Sequence, residues 1–326
     1  MDRAVSAHAP AQDRGTESHT YRRVDVPVDD GTLHAGVWEP VGADEHTPTV
    51  LAIHGVTAQH LAFAELALLL PGVRVVAPDL RGRGRSNARP GPYGMPRHAD
   101  DVAALAAHLG VRRAVVVGHS MGGFVSVVLA HRHRDLVSRL VLVDGGLPLD
   151  LPAGLDVETA MHAVLGPAVQ RLSMTFPDLA AYRDFWKQHP AFTADWSSSI
   201  EAYFDNDVEP VPADGATEGG AVRAAARIEA LTEDQKELFS GASILAGLDA
   251  LTALDVPTLF LRAEAGIMAG PPLYAPEHLA QWAARLPTMR TVEITDVNHY
   301  TIVMTRHGAR AVAAHVTDLL DDEGER

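Results

Sequence analysis

The amino-acid sequence predicts an α/β protein, a mainly parallel sheet covered by helices on both faces and interrupted by one long helical insertion. Three observations carry that prediction. Short runs rich in Val, Ile and Leu alternate with helix-patterned stretches over residues 49–143 and again over 257–320. Parallel strands need such crossovers, and strands buried on both faces read as continuous apolar runs. Between the two blocks, residues 147–252 hold helical stretches and Pro/Gly/Asp-rich joints but no convincing strand. Finally, His54, Asp79, Ser120, Asp144, Glu264 and His299 all fall just past predicted strand ends. In an open parallel sheet those ends share one edge, and ligands bind there.

Taken in order, residues 1–20 are polar, lack the apolar stretch of a secretory signal and read as a disordered tail. Residues 21–28 and 33–39 alternate in the strand manner around Asp29-Asp30-Gly31, a hairpin signal that sets two antiparallel strands at one sheet edge. A Pro/Gly loop leads to a buried strand over 49–53, which ends at His54-Gly55-Val56-Thr57. Residues 59–70 read as a helix closed by Pro71-Gly72. A strand over 73–77 runs into Asp79-Leu80-Arg81-Gly82-Arg83-Gly84-Arg85-Ser86, and residues 97–109 return to helix. The all-Val strand at 115–117 comes next, then a strand over 136–143 that stops at Asp144-Gly145-Gly146. Beyond the insertion the pattern gives a strand at 257–261, a helix at 276–286, a strand at 290–295 and a last helix near 305–320. Eight strands result, with a core of residues 21–146 and 253–326 around an insertion of 147–252.

Composition narrows the function. A net charge of −15 argues against nucleic acid and anionic membrane, both of which need a basic face. There is no cysteine, so disulfides, thiolate metal sites and a cysteine nucleophile are excluded. No apolar stretch reaches the length of a membrane span, which makes a cytoplasmic location the expectation. The oligomeric state, homo-oligomer included, is left open.

The chemistry centres on Gly118-His119-Ser120-Met121-Gly122-Gly123, a G-x-S-x-G between a strand and a helix. Lifting a serine Oγ off the end of a parallel strand takes a turn so sharp that the nucleophile is strained. Its neighbours two residues away must then lack a clashing Cβ, a need that Gly118 and Gly122 meet. This stretch resembles the nucleophile elbow of the α/β-hydrolase superfamily, and the resemblance extends over residues 21–320. It implies the α/β-hydrolase fold, with the insertion as a helical cap after strand 6, and a Ser–acid–His order along the chain. By that order His299, in Asp296-Val297-Asn298-His299-Tyr300, is the base among 17 histidines. An imidazole near its unperturbed pKa suits proton transfer at pH 7.

The acid is open between two positions. Many members of the superfamily place it after the strand that here ends near Leu261, where this chain has Arg262-Ala263-Glu264-Ala265-Gly266 and no Asp. Others place it one strand earlier, where Asp144 stands, and Asp144 is preferred with Glu264 as the alternative. Asp296, so near His299 in sequence, reads as a turn residue. His54-Gly55-Val56-Thr57 resembles the family's oxyanion loop, which implies backbone donors at Val56 and Met121.

The arginine-rich run after Asp79 would suit a phosphate, yet it resembles the Asp-x-Arg-Gly-x-Gly-x-Ser loop that is structural in α/β-hydrolases. It lacks the Gly-Lys-Ser/Thr of a Walker A loop, and neither a dinucleotide fingerprint nor metal-ligand spacing is evident. No cofactor and no metal are therefore expected. In the insertion, Met161, Met174, Phe176, Trp186, Phe192, Trp196, Tyr203 and Phe204 either line an apolar pocket or hold the cap helices together. The resemblance implies a serine hydrolase cleaving a small to medium apolar carboxylic ester or lactone through an acyl-enzyme on Ser120. C–C bond hydrolysis of a ring-cleavage product, thioester hydrolysis, a cofactor-free peroxidase-like activity and a non-catalytic binding role are the alternatives.

Overall fold

The computed structural model describes residues 18–149, 166–211, 220–238 and 241–324. Eight strands form one sheet: β1 His19–Val28, β2 Gly31–Pro40, β3 Thr49–Ile53, β4 Arg74–Pro78, β5 Ala114–His119, β6 Val137–Val143, β9 Thr258–Ala265 and β10 Met289–Asn298. Their spatial order is β1-β2-β4-β3-β5-β6-β9-β10. The hairpin pair β1/β2 and the β2/β4 pair are antiparallel and every other neighbour is parallel. This is the mostly parallel eight-stranded sheet that the alternating pattern predicts.

The all-Val strand shows why such runs are continuous. Val116 points into one apolar core with Leu51, Ile53, Leu140 and Phe260, while Val115 and Val117 point into the other with Val50, Val141 and Leu259. The first core is closed by α2 Met95–His108, α3 Met121–Arg132, α8 Ala242–Leu254 and α9 Pro276–Arg285. The second is closed by α1 Ala64–Leu68, α10 Thr301–Met304 and α11 Arg306–Gly324. Burial on both faces favours apolar residues at successive positions along the middle of each strand.

Several boundaries depart from the sequence reading. Strand β1 starts at His19, inside the stretch read as tail, because the His19 ring bonds the Val73 carbonyl at 2.9 Å. Residues 1–17 lie outside the described residues. The helix expected over 59–70 is a 3-10 turn, His60–Phe63, followed by α1. The insertion contains α4 Pro167–Gln170, α5 Leu179–Lys187, α6 Ser198–Asn206 and α7 Ile228–Leu238, but also an antiparallel strand pair, β7 Val208–Pro210 with β8 Val222–Ala224. Three residues per strand are too few to show an alternating pattern. Helix α8, read as insertion, packs Ile244, Leu248 and Leu251 into the first core and Gly247 against Val127 of α3. It is the crossover helix between β6 and β9, so the insertion ends before it.

The aromatic residues of the insertion mostly hold it together. Trp186 stacks on Phe204 at 4.5 Å between ring centroids, with Phe192, Tyr182 and Tyr300 around them. Met161 lies outside the described residues. Among the described residues no helix is long and apolar enough to cross a membrane.

Candidate active site

Ser120 sits between β5 and α3 with φ 54° and ψ −125°, a region that non-glycine residues rarely enter. Its neighbours explain how the turn is held. A methyl on Gly122 would lie 1.9 Å from the Ile53 carbonyl oxygen, and one on Gly145 would lie 2.1 Å from the Ser120 carbonyl oxygen. The elbow is wedged between the end of β3 and the turn after β6. The Ser120 N–H also donates to the Val143 carbonyl at 3.0 Å.

Asp144 follows β6 with φ 47° and is fully buried. Its N–H bonds the Leu261 carbonyl at 2.8 Å, and its Oδ1 accepts from the Ala263 N–H at 3.3 Å. Its Oδ2 accepts from His299 Nδ1 at 2.7 Å. A carboxylate only accepts, so the proton of the neutral imidazole resides on Nδ1 and Nε2 carries the free lone pair. The His299 loop is fixed by Asn298, whose Oδ1 takes the N–H groups of Tyr300 and Thr301 at 3.0 Å each.

Of the two candidate acids, only Asp144 meets the histidine. Glu264 lies within β9, not past its end, and is exposed; its Oε2 accepts the Asp296 N–H at 2.7 Å. The sequence reading ended the strand near Leu261, four residues too early. Asp296 sits at the register shift in β10 with φ 58°.

The loop after β3 lies directly against the nucleophile. A methyl on Gly55 would meet Ser120 Cβ at 3.1 Å. The Leu80 N–H donates to His54 Nε2 at 2.9 Å, which fixes the tautomer, so His54 Nδ1–H donates to the Gly55 carbonyl at 2.8 Å. Ala58 N–H donates to the same carbonyl at 3.1 Å. In a trans peptide the N–H opposes the C=O. Holding the Gly55 carbonyl on the His54 side therefore turns the Val56 N–H away from it. Met121 is the first residue of α3, where backbone N–H groups have no intrahelical acceptor. Burial holds the His54 ring down at about 4, so it remains neutral, although Asp79 pulls the other way.

Sequence reasoning passed over His119. Its Nε2–H donates to the His299 carbonyl at 2.7 Å, and the two rings lie 4.8 Å apart. The residue before the serine thus grips the backbone of the histidine. Burial, helped by the neighbouring His299, keeps His119 well below its usual range. Nothing in a single sequence pairs positions 119 and 299.

Ser120 lies between two apolar pockets. One is lined by Val56, Met121, Phe124, Ile267, Leu273 and Tyr274. The other is lined by Ala58, Ala62, Tyr203, His299, Tyr300 and Met304. Burial pushes the Tyr300 hydroxyl up to about 12 and Tyr203 and Tyr274 well above their usual range, so these hydroxyls stay neutral. Of the insertion's Met and aromatic residues named from sequence, Tyr203 reaches the second pocket.

The arginine run holds the fold. Arg81 pairs with Asp101 at 2.9 Å and Asp30 at 2.7 Å. Asp79 accepts from the His60 ring at 2.8 Å and the Arg85 N–H at 2.9 Å. Burial alone would raise the Asp79 carboxyl; the His60 ring outweighs it and brings the carboxyl to about 2.

Comparison with known proteins agrees with this fold. The family model for the alpha/beta hydrolase fold matches residues 48–303. "Lipase LipV" of Mycobacterium tuberculosis is 41% identical over 146 residues, 43% of this chain and 52% of the lipase. The match thus spans about half the length of that relative. "2-(acetamidomethylene)succinate hydrolase" of Mesorhizobium japonicum is 26% identical over 89% of this chain and 92% of its own. Among solved structures, that of E-2-(acetamidomethylene)succinate hydrolase superposes with a TM-score of 0.71 at 22% identity, covering 92% of this chain and 99% of the other.

Proposed function

Because this chain belongs to the α/β-hydrolase family, with the family match spanning residues 48–303, we propose that it hydrolyses an uncharged, apolar carboxylic ester or lactone through an acyl-enzyme on Ser120. The observation that carries this reading is the 2.7 Å bond from His299 Nδ1 to Asp144, beside a strained serine that opens onto two apolar pockets.

Ser120 Oγ attacks the carbonyl carbon as His299 Nε2 takes its proton. Asp144 keeps the proton of the resting ring on Nδ1 and stabilises the imidazolium that forms. The alkoxide rests on the N–H groups of Val56 and Met121. His299 then protonates the departing alcohol, and a water activated by the same ring releases the acid. No step in this sequence calls for a metal or an organic cofactor.

The substrate's charge follows from what lines the pockets. Neither lining includes a lysine or arginine, and residues 150–165, 212–219 and 239–240 contain none in sequence. Arg83 and Arg171 approach the loop beneath, but each is bonded to a buried carboxylate. A carboxylate placed here would lose its hydration without gaining a cation. The dicarboxylate in the name of the Mesorhizobium relative is therefore a poor guide to this chain.

The test is labelling with a fluorophosphonate followed by peptide mapping, alongside turnover of p-nitrophenyl acetate, butyrate and octanoate and of a succinate half-ester. Modification of Ser120 is expected, with uncharged esters preferred by about 100-fold, the size of a few kcal/mol in transition-state binding. Labelling elsewhere, or preference for the half-ester, sinks this reading. Thioesters fit the same atoms and belong in the same panel.

A further inference from the structure

We propose that the insertion sets the geometry of the oxyanion loop through two buried arginines, Arg83 and Arg171, which act as positioning residues. This rests on the reading above, in which the Val56 N–H receives the developing oxyanion.

Arg83 lies in the Asp79–Ser86 loop and is fully buried. Its Nε donates to the Val56 carbonyl at 2.9 Å. Its Nη1 donates to the Arg81 carbonyl at 2.9 Å, and its Nη2 pairs with Asp234 Oδ2 on α7 at 2.6 Å. Arg171, in the 3-10 turn after α4, is equally buried. Its Nη2 donates to the Thr57 carbonyl and to Asp207 Oδ2, at 2.9 and 2.8 Å. Two consecutive carbonyls of the loop are thus held by two guanidiniums, and each guanidinium is neutralised by a carboxylate of the insertion.

The consequence is geometric. The Val56 N–H belongs to the peptide whose carbonyl His54 holds, and the peptide after it is held by Arg83. Both planes flanking the Val56 Cα are fixed, one by the core and one by a residue whose guanidinium is paired with Asp234 on α7. That helix also reaches the first pocket through Leu238. The element that lines the first pocket and the element that anchors the residue holding the Val56 peptide are therefore the same. The guanidinium suits this place because its donors sit on separate atoms of one rigid plane, reaching the Val56 carbonyl from Nε and Asp234 from Nη2, whereas an ammonium offers its three protons from one atom on a flexible stem. Arg171 remains charged because, although burial works against it, Asp207 outweighs that cost and holds the guanidinium above its usual range.

Removing one arginine alone would strip a buried carboxylate of its guanidinium, leaving Asp234 to His98 and the Gly94 N–H and Asp207 to the Tyr182 hydroxyl, so the pairs are removed together as Arg83→Gln/Asp234→Asn and Arg171→Gln/Asp207→Asn. Each double variant is expected to lower kcat on p-nitrophenyl butyrate by about 10- to 100-fold, the scale set by a misplacement near 1 Å. KM should stay within about threefold, as uniform binding is untouched. Affinity for a trifluoromethyl ketone, which forms a tetrahedral oxyanion, should fall in the same proportion as kcat/KM. Butyrate binding and the acid limb of the pH profile should not move, because the base is unaltered. Hydrogen exchange over residues 54–58 should quicken.

Unchanged kcat with unchanged exchange overturns the proposal, as does a shifted acid limb, which would place the effect on His299. If the double variants do not fold, Arg83→Lys and Arg171→Lys keep the charge and are read the same way. Should the wild-type protein neither label at Ser120 nor turn over esters, the hydrolase reading fails by itself. The exchange measurement still decides whether the insertion holds the loop.

Discussion

Asp144 and Glu264 are both acids near the ends of adjacent strands, and only their hydrogen bonds separate them. Asp144 is fully buried and its two oxygens go to the Ala263 N–H and the His299 ring. Glu264 is exposed and its carboxylate goes to the Asp296 N–H across the β9/β10 pair. Asp144→Asn presents an amide to His299 and favours the wrong tautomer, so kcat should drop by about 10⁴-fold, as in triads generally. Glu264→Gln can still accept from the Asp296 N–H and should leave kcat within about twofold, since exposed substitutions shift free energies by roughly 0.5 kcal/mol or less. Ser120→Ala should lose about six orders of magnitude, since the nucleophile and base act as a unit. Steady-state turnover of one ester by the three variants checks all of this. Equal losses at 144 and 264 would remove Asp144 from the role proposed for it.

At the scale of the element, the elbow depends on contacts that no strand or helix propensity encodes. Helix α3 can begin against the end of β3 because its second residue is Gly122. Gly122→Ala puts a methyl into the Ile53 carbonyl, a backbone atom that cannot swing aside. Overpacking of this kind costs about 1–3 kcal/mol, and here the displaced segment carries Ser120. We expect a lowered urea midpoint and at least a 10-fold loss of activity. Gly270→Ala, where nothing lies within 4 Å, should do neither. The requirement at Gly122 was legible in sequence because a tight strand–turn–helix leaves a local signature. So was the two-sided burial of β3, β5 and the second half of β6, since each of these is a run of mostly apolar residues. The strand pair β7/β8 was not legible, because three residues carry no period. The assignment of α8 to the core was missed because its apolar face looks the same whether it packs on a cap or on α3. His119 and Arg83 were missed for a different reason. Their partners, the His299 and Val56 carbonyls, are backbone atoms with no identity in a sequence.

At the scale of the whole molecule, three histidines among the described residues are held neutral by burial: His54 at about 4, His189 at about 4 and His119 well below its usual range. In the unfolded chain each titrates near 6.5. Between pH 6.5 and 4 the unfolded state therefore binds protons that the native state refuses, and stability falls as pH falls. The contribution of the neutral rings is fully present above pH 6.5. For His54 alone the difference amounts to about 3 kcal/mol by pH 4, using roughly 1.4 kcal/mol per unit. Asp79 acts in another window, because its carboxyl is lowered to about 2. Its contribution is present above the unfolded value near 3.8 and is lost only as pH drops through 2, so it does not offset the histidines between pH 7 and 5. Against a total stability of order 5–15 kcal/mol, the decline should be visible well before acid unfolding. Urea unfolding at pH 7, 6 and 5 is expected to give a falling midpoint, steepest below pH 6. His189→Gln should remove up to one proton from that slope; because its ring packs edge-on against Tyr300 of the second pocket, turnover at pH 7 is measured alongside. A midpoint constant from pH 7 to 5 would mean that these rings accept protons in the folded protein. Leu80 N–H could then no longer donate to His54, and the loop that presents Val56 would have to be held in some other way.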